Sequence, residues 1–210
     1  MIDEEYDEEE YDEELIAVLK HGSYRTQAGF AGEEAPRNVF STVYGCTKYV
    51  GLVGSVDCKN WYIGEEAMQK RGILGMFRPM EHGVVRNWDQ MEKIWGHTFE
   101  NELRIDPYGL LLTESPNNDE NSRERTTQIM FETFEVKKFD MVVEQPLICL
   151  STGRTEGLVV DIGHTCTNVV PVSFDPESFT GLRMNSWSLY KEKQFSTMGG
   201  RDLYDSLMYS

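Results

Sequence analysis

Residues 157–172 read GLVVDIGHTCTNVVPV: an apolar run, a polar centre at Asp161-Ile162-Gly163-His164-Thr165, and a second apolar run closed by Pro171. β-Branched runs on either side of a Gly-containing turn specify a β-hairpin. Residues 15–32, LIAVLKHGSYRTQAGFAG, have the same build: a strand, a turn carrying Gly22 and Ser23, and a return strand. Two such hairpins facing one another can grip a phosphate chain, because the N–H groups of successive turn residues form an anion-binding nest. An ordinary surface hairpin carries the same signature, so the hairpins alone leave function open.

Charge narrows the choice. The net charge is −16, and residues 1–14 (MIDEEYDEEEYDEE) hold ten acidic residues and no Lys or Arg. The rest of the chain therefore carries −6. A basic nucleic-acid-binding face is not expected. The tail is expected to be disordered, since its charges repel and it has little to bury. It serves either solubility or docking to a basic partner surface. No stretch approaches the roughly 18 apolar residues of a membrane span, and the acidic start does not resemble a signal peptide. A soluble intracellular protein is expected. Cys46, Cys58, Cys149 and Cys166 are far apart and form no CxxC pair, which argues for reduced structural thiols and against a zinc site.

Between the hairpins lie alternating strands and helices. Residues 39–63 read as strand-rich, and Gly64 leads into a short helix over 65–70. Asn87 is a good N-cap, with Gln90 three residues on. Trp88, Met91, Ile94, Trp95, Phe99 and Leu103 then share one stripe of a core-facing helix that Pro107 ends. Leu110–Thr113 is a buried strand. Asn121 with Glu124 reads as a capping box opening a helix to about Phe134. Met141–Val143 is a strand and residues 146–150 a short helix or linker. Residues 173–198 are irregular and contain Trp187 and Tyr190, and Gly199-Gly200-Arg201-Asp202 caps a last helix reaching Met208.

Taken together, the array resembles actin. The matching stretches are AGFAGEEAPR (28–37), IGEEAMQKRGIL (63–74), EHGVVRNWDQMEKIWGHTFENELR (81–104), LLTESP (111–116), TQIMFETF (127–134), STGRTEG (151–157) and GGRDL (199–203). They occur in actin's order. The resemblance implies an α/β, actin-like (ribonuclease H-like) ATPase fold, with two domains around ATP and Mg or Ca. Residues 15–150 would form the small domain, with an outer lobe at about 42–78. Residues 151–210 would form an incomplete large domain. In actins the loop matching 48–59 inserts into the next subunit, so Val50, Gly51, Leu52 and Val53 become candidate partner contacts. His82 sits where many actins carry a modified histidine, and packing is its expected role.

The departures from actin lie in the turns. Actins read Asp-Asn-Gly-Ser-Gly in the first turn, followed by Lys; here Lys20 and His21 replace the acid and amide, Gly22 and Ser23 are kept, Tyr24 replaces the second Gly, and Gln27 replaces the Lys. Actins read Asp-Ser-Gly-Asp-Gly in the second turn; here Asp161 and Gly163 are kept beside Ile162, His164 and Thr165. Gln145 matches the glutamine that orients attacking water. A cation at position 20 turns attraction for a metal into repulsion, about 4 kcal/mol for unit charges roughly 4 Å apart at an effective dielectric of about 20. The vestigial nucleotide-binding set is then Gly22, Ser23, Tyr24, Asp161, Gly163, His164 and Thr165. A Lys20–Asp161 salt bridge is expected to hold the cleft shut, with Tyr24 filling the vacancy and no cofactor or metal. Such a pair sets geometry more than net stability.

Two functions follow. One is a structural or interaction subunit of a cytoskeletal assembly, possessing a degenerate cleft and protein partners such as actin or other subunits. It would sit in the cytoplasm and cytoskeleton, with cilium or nucleus left open, and would not touch nucleic acid or membrane. The alternative is an ATP-hydrolysing, filament-forming actin, in which Asp161 serves the metal.

Overall fold

The computed structural model describes residues 15–47, 60–173 and 193–209. The acidic tail, Val50–Val53, Cys58, Trp187 and Tyr190 lie outside the described residues.

Strand β1 (Ile16–His21) turns back into β2 (Arg25–Phe30), and β3 (Asn38–Ser41) completes an antiparallel meander. A smaller sheet follows from β4 (Tyr44–Thr47), β5 (Trp61–Ile63) and, after helix α1 (Gly64–Gln69), β6 (Leu74–Phe77), in the order β5-β4-β6. Its elements fall within the stretch expected to form the outer lobe. The pair β7 (Met80–Glu81) and β8 (Val84–Val85) leads into α2 (Trp88–His97). Strand β9 (Gly109–Glu114), α3 (Glu120–Glu132) and β10 (Lys138–Val143) return to the first sheet, whose order is β10-β9-β1-β2-β3. Both β10 and β1 run parallel to β9, so α3 forms the crossover that parallel neighbours require.

The stripe on α2 does what its spacing predicts. Met91, Ile94 and Trp95 are fully buried, and Met91 and Trp95 pack with Ala17, Leu19 and Leu112 of the sheet. Asn87 caps the helix by accepting the Gln90 N–H at 3.1 Å. Its end differs from expectation. Residues Thr98–Leu103 widen into a π-helical turn, and Arg104 in the left-handed region (φ 57°) stops it three residues before Pro107. The cap of α3 also differs. Asp119, rather than Asn121, accepts the Ser122 N–H at 2.6 Å. A carboxylate two residues upstream takes the free donor first, so the helix opens at Glu120.

Helix α4 (Glu144–Ser151) connects to a second sheet, β11 (Glu156–Ile162), β12 (Thr167–Ser173) and β13 (Gln194–Ser196), in that order. Cys149 on α4 already packs with Val170 and Val172, so the second core begins before residue 150. Helix α5 (Gly200–Met208) ends the described chain.

The two hairpins are structural equivalents. His21 pairs with Thr26 across the first and Ile162 with Thr167 across the second, and each turn encloses four residues. Gly22 N–H donates to Arg25 O at 2.9 Å; Gly163 N–H donates to Cys166 O at 2.8 Å. Ala17, Leu19 and His21 on β1 thus correspond to Leu158, Val160 and Ile162 on β11. Helix α2 covers the first row. The second row is 65%, 56% and 65% exposed among the described residues.

Gly199 marks where α5 meets the second turn. A Cβ there would lie 2.5 Å from His164 O and 2.7 Å from Cys166 N, and backbone cannot give way as a side-chain tip can. The close approach lets Gly200 N–H donate to Gly163 O (2.9 Å) and Arg201 N–H to His164 O (3.0 Å). Gly199→Ala is expected to cost about 1–3 kcal/mol by overpacking. Hydrogen exchange should show residues 200–208 losing protection while α2 keeps its own.

Candidate functional site: the cleft between the hairpin turns

The turns of the two hairpins face each other across a cavity of about 250 Å³, floored by the ends of β9, β10 and α4. Their contacts are direct. Thr165 Oγ1 donates to Ser23 Oγ at 2.9 Å, and both residues are buried. His82 locks the same threonine: its N–H donates to Thr165 Oγ1 at 3.0 Å, and its Nδ1 lies 2.6 Å from Thr165 O. His82 reaches this position through a left-handed backbone (φ 52°) followed by Gly83 (φ 78°). Packing is only part of its role, since it ties the segment between β7 and β8 to the second hairpin.

Tyr24 lies against His164, with ring centroids 4.8 Å apart. The Arg78 guanidinium sits 4.7 Å from the Tyr24 ring centre and donates from Nη1 to Ser23 O, Tyr24 O and Thr42 O at 3.1–3.2 Å. One cation thereby fixes the backbone of the first turn and one face of its aromatic ring. Partial burial, followed by repulsion from Arg78 and Arg201, pushes the His164 pKa below its ordinary value. At neutral pH Tyr24 therefore meets a neutral His164 imidazole.

Lys20 finds a different carboxylate from the one expected. Its ammonium pairs with Glu144 at the start of α4, and the Lys20–Asp161 bridge is not formed. Asp161 instead accepts a hydrogen bond from Gln145 Nε2 at 3.2 Å. The reason is positional. Glu144 directly follows β10, two strands from β1 in the same sheet, whereas Asp161 belongs to the other sheet and has a neutral donor beside it. Gln145 is fully buried, and its Oε1 has no protein partner. On the cavity wall behind Lys20, His21 is half-buried, with its Nδ1 shut off from solvent. Its ring meets Trp95 edge-on at 5.7 Å, and burial lowers its pKa to about 4. Burial and the neighbouring Asp161 raise the Cys166 thiol, which keeps it protonated and a poor nucleophile.

The cavity wall thus gathers Lys20, Gly22, Ser23, Tyr24, Gln27, Gln145, Asp161, Gly163, His164 and Thr165. Paired turns at the tips of equivalent hairpins, one per sheet, line this one cavity. The model of the family Actin matches residues 11–207. The chain belongs to the actin family. Its sheets and helices are those of an actin-like α/β ATPase fold, with β1–β3 and β11–β13 presenting the two turns that face each other. Within this actin-family site, sequence reading missed Arg78 and Glu144. Arg78 lies 54 residues from the Tyr24 carbonyl it binds, and no local spacing signals that contact. Glu144 stands next to Gln145, so the matched glutamine was the available pointer. Among the described residues no three His, Cys, Asp or Glu side chains converge on a metal-sized point, and no helix is long and apolar enough to cross a membrane.

Proposed function

We propose that this actin-family chain is a structural or interaction subunit of a larger cytoskeletal assembly, and that its cleft does not turn over ATP. The observation that carries the reading is the Tyr24–His164 contact, with its adjoining Thr165–Ser23 hydrogen bond. Side chains of the two turns bond to each other where an actin would hold phosphate between them. Mg-ATP, which the family implies, fits these residues poorly. The Ser23 hydroxyl is engaged by Thr165, the Tyr24 ring extends from a position where glycine lets backbone approach phosphate, and Lys20 is neutralised by Glu144. Asp161, the remaining acid of the second turn, already accepts from Gln145. Lys20 pairs within its own sheet, so the contacts that join the two turns are those of Tyr24 with His164 and of Thr165 with Ser23. Protein contacts, including the candidate residues Val50, Gly51, Leu52 and Val53, then supply the function.

A second reading is an ATP-hydrolysing actin. Gln145 favours it, because its buried Oε1 lacks a protein partner beside Asp161. The two readings part on nucleotide content. Protein purified without chelator, denatured and resolved by ion-exchange chromatography should release well under one ATP or ADP per chain. Calorimetry with Mg-ATP should give no heat of binding at millimolar nucleotide. Stoichiometric ADP with steady phosphate release, lost on adding chelator, would reverse the assignment.

A further inference from the structure

Strand β11 is an outer strand of the second sheet, and its register shows what the outer edge offers. Gly163 N–H donates to Cys166 O, so Asp161, Val159 and Gly157 also turn their backbone groups toward β12. Leu158, Val160 and Ile162 turn theirs outward, and among the described residues no strand lies beside them. The side chains of these three residues form the apolar row that is more than half exposed. Pro171, Val169 and Thr167 stand opposite them on β12 and continue the same face. On β1 the corresponding edge is taken by β9.

The other outer strands are blunted against pairing with a further chain. Strands β3, β5, β6 and β13 have three or four residues each. Strand β10 is longer but carries Lys138 and Asp140 exposed. Strand β11 has seven residues, EGLVVDI, with no Lys, no Pro and an unbroken register. A long apolar edge without such devices is a template for another strand.

We propose that β11 pairs with β11 of a second copy of this chain, antiparallel about a two-fold axis at Val160. Val160 then meets Val160 of the partner subunit, and Leu158 meets Ile162 of the partner subunit. These are the residues whose backbone groups point outward, so each pair exchanges two N–H···O bonds. The two apolar rows fall on one face of a joined sheet and shield each other, whereas a one-residue slip would turn them to opposite faces. Asp161 faces Val159 of the partner subunit, and Glu156 lies beyond the paired stretch, so no carboxylate stands opposite another. Strand β9 lies parallel to β1 because a crossover within one chain delivers it; a strand from a separate molecule has no crossover to make, and the antiparallel ladder is the more stable. A second copy meets the demands of length, row and charge by symmetry. Asp161 and its cleft contact lie on the opposite face from the row, so the pairing does not depend on whether nucleotide binds.

The test uses the whole chain. Sedimentation velocity from about 5 µM to about 500 µM should show a monomer–dimer equilibrium, weak because one strand pair makes a small interface. Each copy carries a net charge of −16, so raising salt should tighten the association by screening repulsion. Hydrogen exchange at the two ends of that range should show the amides of Leu158, Val160 and Ile162 gaining protection with concentration, while those of α3 do not change. Val160→Lys should weaken the dimer by about tenfold or more. Val160→Pro should do the same, since the N–H it removes points away from β12. Val39→Lys, on the outer strand β3, should leave association unchanged. Circular dichroism of each variant confirms folding, and the exchange experiment on the unaltered chain stands if a variant fails to fold. A chain that stays monomeric throughout, or a dimer that survives Val160→Lys, would overturn the proposal. So would slow exchange at Leu158, Val160 and Ile162 that is indifferent to concentration, which would make another part of the same chain the occupant.

Discussion

Lowering the pH from 6.5 to about 4 is expected to remove about 3 kcal/mol of folding stability through His21 alone. Its folded pKa is about 4, and the ordinary value of 6.5 applies to the unfolded chain. Between those values the unfolded chain binds a proton and the folded one does not, so stability rises with pH across the window. The contribution is complete above pH 6.5, declines as pH falls, and is gone below about 4. The cause is burial. His21 is half-buried on β1, its Nδ1 is shut off from solvent with no protein partner to stabilise a charge, and its ring faces Trp95. Lys20 and Glu144, which line the same cleft, are engaged with each other. Carboxylates elsewhere also respond to acid, so the measurement is a difference. Urea unfolding of the protein and of His21→Ile at intervals from pH 7 to pH 4 should give two curves that diverge as pH falls, with the variant flatter. Isoleucine is the residue the second hairpin places at the equivalent position, Ile162. Parallel curves would show that His21 does not stay neutral in the fold.

Trp95→Ala should carry the largest cost of a single substitution, about 3–5 kcal/mol. Trp95 is fully buried, heads the largest fully buried side chains, and joins α2 to the sheet through a cluster containing Ala17, Leu19 and Leu112. Its removal leaves a cavity that the surrounding β-sheet cannot close without losing its register. The two predictions are coupled. Water admitted beside His21 would relieve its desolvation, its pKa would return toward 6.5, and the pH dependence would shrink along with stability. Trp95→Phe, which retains a ring, should keep most of that dependence. A loss below about 1 kcal/mol in Trp95→Ala would sink the view of α2 as the covering layer of the first sheet.

The contrast between the two hairpins explains how much was legible in the chain. Apolar runs around Gly-containing turns located β1, β2, β11 and β12, a short apolar run located β9, and 3.6-residue spacing located the buried face of α2, because a helix buried on one side writes that face into residue order. Ordered stretches such as IGEEAMQKRGIL and GGRDL carried the family, and the matching family model covers the same span. Helix ends were read less well. Asp119 and Asn121 are both competent caps, and which one closes on a backbone donor depends on where β9 delivers the chain. The π-helical turn at Thr98–Leu103 left no mark on the apolar stripe, since Phe99 and Leu103 remain buried in either geometry.

The composition and order of residues by themselves determined the family, the paired hairpins, and the replacement of the turn chemistry at Lys20, His21, Tyr24, Gln27, His164 and Thr165. They did not determine what those replacements touch. Only the tertiary structure decided that Lys20 takes Glu144 rather than Asp161, that Arg78 fixes the first turn, and that His82 grips Thr165. Local pattern reports which face of an element is buried. The partner of a charged or hydrogen-bonding side chain is selected by distance in space, among groups that the sheet order and the turns bring together from positions 54 to 142 residues apart or more closely.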